Sequence, residues 1–129
     1  MQSVLGPIDC DRDRRKKNMP MKTHIQLDEA LASLTKSKSL FSKLFDDENI
    51  SIEIYKPEQL DLQAPHDRED LYVIISGSGT FRLKDETFRC KAGDVLLVPH
   101  NAVHRFENFT EDFATWVIFY GAPHAEAEE

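Results

Sequence analysis

The sequence predicts an all-β fold, a barrel or double-sheet jelly roll, preceded by one short helix. Two patterns carry this expectation. From Leu40 onward, short apolar-alternating runs follow one another, separated by turn residues. Only one stretch, residues 27–36, shows apolar residues at helical spacing. Size agrees: 129 residues and 14.8 kDa suit one domain. A chain of this length buries roughly two-thirds of its unfolded surface, enough for a core without disulfides.

Leu27, Ala30, Leu31 and Leu34 form the helical stripe, with Asp28 and Glu29 in the first turn, where the helix dipole favours acids. Strand candidates then fall at 40–45 and 50–55, the second with Ile50, Ile52 and Ile54 alternating against Ser51, Glu53 and Tyr55. Pro57 ends that run, and residues 58–70 are polar and irregular. Further strands are expected at 71–76, 79–84, 87–90, 94–98, 103–108 and 113–120. Gly77-Ser78-Gly79 and Lys84-Asp85-Glu86 read as tight hairpin turns, and Gly93-Asp94 as another turn. Residues 1–20 are expected to be a disordered basic tail, 21–122 the barrel, and 123–129 an acidic tail.

Composition narrows the function. Net charge is −7 and the pI is near 5.2, so phosphate backbones are repelled and a general nucleic-acid binder is not expected. The basic cluster Arg12–Lys17 reads as a solvated tail. Mean hydropathy is −0.48 and no apolar run nears the ~18 residues of a membrane span. Residues 1–20 lack the apolar stretch of a secretory signal. Cys10 and Cys90 are too few for a disulfide framework, and Cys90 has the parity of a buried thiol. A cytoplasmic protein is the expectation.

The chemistry concentrates in two segments. One is Pro65-His66-Asp67-Arg68-Glu69-Asp70, running into Leu71–Ile75; the other runs from Gly93 through Pro99 and His104 to Asn108. Two imidazoles and a carboxylate are a ligand set for a divalent transition metal. Period-two parity puts Asp70, Tyr72 and Ile74 on one face, and His104, Phe106 and Asn108 on one face. Glu69 has the opposite parity, which favours Asp70 as the carboxylate. His100, in the turn before His104, reads as a solvent-facing residue. Tyr72, Phe106 and Trp116 are candidates for lining an apolar pocket. No phosphate loop, nucleophile elbow or paired-cysteine zinc motif is present, and no residue is assigned a catalytic role.

The spacing resembles the two signature motifs of the cupin superfamily, over roughly residues 60–110. In the first, His66 matches the second histidine, Asp70 stands where glutamate is usual, and Gly77 follows six residues later. In the second, Gly93, Pro99, His104 and Asn108 fall at the family positions. Departures are clear. Ala64 occupies the first histidine position, with Gln63 beside it as a possible additional ligand. Glu58 stands near the first glycine position, and Asn101 replaces another glycine, a change Asn tolerates in the left-handed region.

The resemblance implies a single cupin-type barrel of the small bacterial kind. Its metal would be Fe, Mn, Ni or Zn, on His66, Asp70 and His104. A small metal-dependent enzyme of dioxygenase, isomerase or decarboxylase type, acting on a small oxygen-rich metabolite, is one expectation. A non-catalytic, metal-free ligand-binding barrel is the other. Surplus apolar strand surface is expected to be buried by the N-terminal segment or by a second subunit, and the resemblance implies a homodimer, with a small molecule as the other partner and neither nucleic acid nor membrane.

Overall fold

A computed structural model describes residues 23–61 and 63–123. The expected tails, with Cys10, Arg12–Lys17 and all but the first residue of 123–129, lie outside them. Among the described residues the order is α1 (Leu27–Ser37), β1 (Phe41–Asp46), β2 (Ile50–Tyr55), β3 (Glu69–Ser76), β4 (Ser78–Leu83), β5 (Glu86–Lys91), β6 (Val95–Val98), β7 (His104–Glu107) and β8 (Ala114–Tyr120). Every expected strand forms. The strands make two antiparallel sheets, ordered β1-β2-β8-β3-β6 and β5-β4-β7, packed face to face as a jelly roll.

The helix ends in a Schellman motif. Lys38 takes a left-handed conformation (φ 55°), its N–H donates to the Thr35 carbonyl, and the Ser39 N–H donates to that of Leu34. Its buried face, Ala30 and Leu34, packs on Ile54, with Leu44, Ile75 and Trp116 around it. Trp116 is therefore not a pocket residue. It faces outward under the helix, because Thr115, Val117 and Phe119 carry the inward parity of β8.

Inside, aromatic side chains fill the barrel. Phe113 stacks on Phe106 (ring centroids 4.8 Å), Phe106 on Phe81 (4.9 Å) and on Tyr72 (5.0 Å). Cys90 is buried in the same core.

Gly93 sits in a turn as expected, but the turn at Gly77 differs from expectation. β3 and β4 belong to different sheets, so Gly77 is not in a hairpin: it is a corner where the chain crosses between layers. Gly77 has φ +79°, and a Cβ there would collide with Thr110 Oγ1 and the Phe113 backbone. Gly93 (φ +93°) makes the corresponding corner from β5 to β6, and its N–H donates to the Ile74 carbonyl. Both corners meet at one end of the barrel, where the Ala92 N–H reaches the Gly77 carbonyl. The motif residues His66, Asp70 and His104 gather at the other.

Candidate functional site

β3 begins at Glu69, two residues earlier than alternation alone suggested. Asp70 is thereby paired between Val98 of β6 and Phe119 of β8 and turned inward, fully buried. Glu69 turns outward, where its Oε2 meets His100 Nδ1 at 2.8 Å. Parity thus selects Asp70 over Glu69, and His100 stays half-exposed on the rim.

His104 opens β7 and is buried. Its Nδ1 lies 2.8 Å from the Ala102 carbonyl, which can only accept. In the neutral imidazole the hydrogen therefore sits on Nδ1 and the Nε2 lone pair faces the interior, as in metal-ligating histidines. His66 precedes β3 in the irregular segment. Its carbonyl accepts from the Asn101 N–H, and its ring packs edge-on against Phe119 (4.9 Å) and 5.2 Å from the His104 ring. Asn101 takes the left-handed conformation (φ 61°) that its residue type tolerates. Asn108 does not share the face of His104: it lies past the end of β7, left-handed (φ 52°) and exposed.

His66, Asp70 and His104 each offer a ligand atom, and these atoms lie within 4.8 Å of one another. Ligand atoms bonded at ~2.1 Å to one ion are at most roughly 4.2 Å apart, so the triad stands slightly open. The strongest sign that it is built for a cation is Asp70 itself. Both carboxylate oxygens are buried without a well-formed hydrogen bond, a costly arrangement for a charged group. Burial pushes its pKa up to about 7; the nearby Tyr72 hydroxyl opposes this in part, and Glu69 adds to it. Burial and the His104 ring hold His66 below the ordinary histidine range, against the pull of Asp67 and Asp61. A cation would reverse the penalty on Asp70 and suit a neutral imidazole.

Gln63 does turn toward the site, as the redirection at Pro65 allows. Its Oε1 accepts from the Tyr72 hydroxyl at 2.9 Å and lies 3.3 Å from His66 Nε2. The Tyr72 hydroxyl is also 3.0 Å from His104 Nε2. With Nε2 carrying the lone pair, two acceptors compete for one tyrosyl proton. Ala64, at the family's first histidine position, is exposed and offers no ligand.

Sequence reasoning missed Asp61. This buried carboxylate receives four hydrogen bonds: Tyr55 Oη (2.6 Å) and the Gln63 N–H (3.2 Å) on Oδ1, and Gln63 Nε2 (2.9 Å) and the Phe106 N–H (2.8 Å) on Oδ2. It ties the irregular segment to β2 and β7, and holds the Gln63 amide with its oxygen toward Tyr72. A single Asp in a non-periodic polar run carries no signature.

A cavity of about 740 Å³ opens beside the triad, with His66 and Gln63 at its inner end. Phe41 of β1 and Glu53 and Tyr55 of β2 border it. Its walls include Tyr55, Val117 and Phe119. Tyr72 contributes only its hydroxyl to the site, and Phe106 lies in the core.

Known proteins agree with this architecture. A cupin-family protein with a double-stranded β-helix fold from Methanocaldococcus jannaschii superposes with TM-score 0.59 at 22% identity, over 82% of this chain and 94% of that one. A cupin superfamily protein from Desulfitobacterium hafniense gives TM-score 0.56 at 20% identity, over 80% and 94%. In sequence, an uncharacterised Streptomyces coelicolor protein is 27% identical over 96 residues, 73% of this chain and 91% of the relative. The family model described as Cupin domain matches residues 51–120, so this chain, with its jelly roll and its His66–Asp70–His104 cluster, belongs to the cupin-domain family.

Proposed function

We propose that the protein binds one divalent transition-metal ion through His66, Asp70 and His104 and uses it on a small molecule in the adjoining cavity. The observation that carries this reading is the fully buried Asp70 carboxylate, without a well-formed hydrogen bond, facing two histidines. When bound, such an ion supplies a Lewis acid for an oxygen of the bound molecule.

The chain's own residues do the rest. The Ala102 carbonyl holds His104 in the tautomer that presents Nε2. With Nε2 engaged by a metal, the Tyr72 hydroxyl would donate its hydrogen bond to Gln63 Oε1 and no longer face the His104 lone pair. Asp61 orients Gln63, so the amide oxygen serves as a fixed acceptor beside the site. Phe119 and Val117 exclude water from the inner wall. The family's dioxygenase, isomerase and decarboxylase chemistries all begin from such a site; Fe, Mn, Ni and Zn all accept this ligand set.

A second reading, a metal-free ligand-binding barrel, draws on Ala64 in place of a ligand and on the Tyr72 hydroxyl seated at His104 Nε2. Elemental analysis of freshly purified protein separates the two. The first reading expects a stoichiometric transition metal that is lost in a folded His104→Ala variant. Unchanged metal content in that variant refutes the ligand assignment.

A further inference from the structure

The cavity beside the triad has a definite chemical character. Its volume, about 740 Å³, is in the range that encloses a drug-sized molecule. Leu40, Phe41, Val117 and Phe119 make its walls largely apolar, and Tyr55 adds a third aromatic ring. The charged residues among its described lining are Glu53 and Glu58; neither Lys nor Arg lines it.

The nearest basic residue in register is Lys43, which pairs with Glu53 across β1 and β2. Its ammonium is directed to Asp46, 3.4 Å away, at the solvent-exposed edge. Burial raises the Glu53 pKa, Lys43 opposes this and Asp46 adds to it. Lys56 sends its Nζ to the Glu111 carbonyl, and with Lys38 it lines a smaller neighbouring cavity that Glu58 also borders. A carboxylate or phosphate lodged beside the half-buried Glu53 would meet like charge, while the Lys43 ammonium is turned to Asp46. An ammonium would meet two carboxylates among three aromatic rings, whose faces attract cations.

We infer that the molecule reaching the triad passes through this cavity and has an apolar body with a neutral or positively charged group, not a carboxylate or phosphate, beside Glu53 and Glu58. This rests on the metal-site reading for its inner end, and narrows the substrate class of that site.

The test uses three probes with one body: 4-phenylbutylamine, 4-phenylbutanol and 4-phenylbutyrate. Binding is measured by calorimetry on the EDTA-treated full-length protein, and repeated in Asp70→Ala, so that the outcome does not depend on the metal. The ammonium probe should bind about tenfold or more tightly than the carboxylate, with the alcohol between. A Glu53→Gln/Glu58→Gln variant should bring the two charged probes within about threefold of each other. Ala64→Trp, a change at an exposed lining position, should weaken all three.

Carboxylate binding as tight as ammonium binding overturns the inference. So does an order that survives the double Gln variant, binding indifferent to Ala64→Trp, or no binding of any probe up to about 5 mM. Metal content, measured separately, reports on the triad alone.

Discussion

Asp61→Asn isolates the least expected feature of the site. The wild-type carboxylate accepts from four donors, of which the Tyr55 hydroxyl and the Phe106 N–H are buried with it. Asn keeps the shape but replaces one acceptor oxygen with a donor. If its oxygen keeps the Phe106 N–H and Gln63 amide bonds, its NH₂ faces the Tyr55 hydroxyl and the Gln63 N–H. The opposite flip opposes the NH₂ to the Phe106 N–H and to Gln63 Nε2. Either way two donors lose their acceptor. Each buried donor left unsatisfied costs about 1–3 kcal/mol, but the half-buried Gln63 groups can turn to water. The net expectation is a loss of about 2 kcal/mol for Asp61→Asn, and about 4 kcal/mol for Asp61→Ala, which leaves every donor without its partner. Urea denaturation followed by circular dichroism reads both, with the slope checked for constancy. Losses below about 0.5 kcal/mol in both variants would show that these bonds do not hold the segment, and the account of Gln63 would fall with them.

Other outcomes follow from single positions. Gly77→Ala should cost about 2–3 kcal/mol in the same assay, since it adds a positive-φ penalty to a collision with backbone at Phe113; a neutral result would mean the corner relaxes freely. Lys38→Gly should stabilise by about 0.5–1 kcal/mol, because Lys38 sits in the left-handed position that closes α1; any loss of stability contradicts this. With metal stripped, Asp70→Asn should be more stable than wild type at pH 8. The folded-state pKa of Asp70, about 7, lies above its ordinary value, so the folded carboxyl keeps a proton that the unfolded one loses between about pH 4 and 7. Wild type therefore loses stability across that window as pH rises, and the advantage of Asn should vanish toward pH 4. An Asn variant less stable than wild type at pH 8 would refute the sign.

Much of the fold was legible in the alternation. A period of two is enough to place Asp70, Tyr72 and Ile74 inside and Glu69 outside, because strand parity survives packing between two sheets. The same rule, carried one step past a strand end, failed at Asn108, where a left-handed residue breaks the parity. Trp116 was misplaced because size suggests a pocket residue, whereas the neighbouring inward pair Thr115 and Val117 decides its direction. Gly77 reads as a hairpin in the sequence because a local turn signal does not say which sheet the next strand joins. Least legible was the segment 56–68. It has no period, and Asp61 and Gln63 acquire their roles only through partners on β2, β3 and β7. The histidine spacing announced a site; its supporting shell depends on contacts between residues up to 45 positions apart.

The central claim is that His66, Asp70 and His104 hold one metal ion. The direct measurement is calorimetric titration of EDTA-stripped protein with Mn(II), Ni(II) and Zn(II), and anaerobically with Fe(II). The account predicts one ion bound per chain for at least one of them, with the binding abolished in folded Asp70→Ala and His104→Ala variants. Absence of binding by all four ions, or equal binding in both variants, would contradict it.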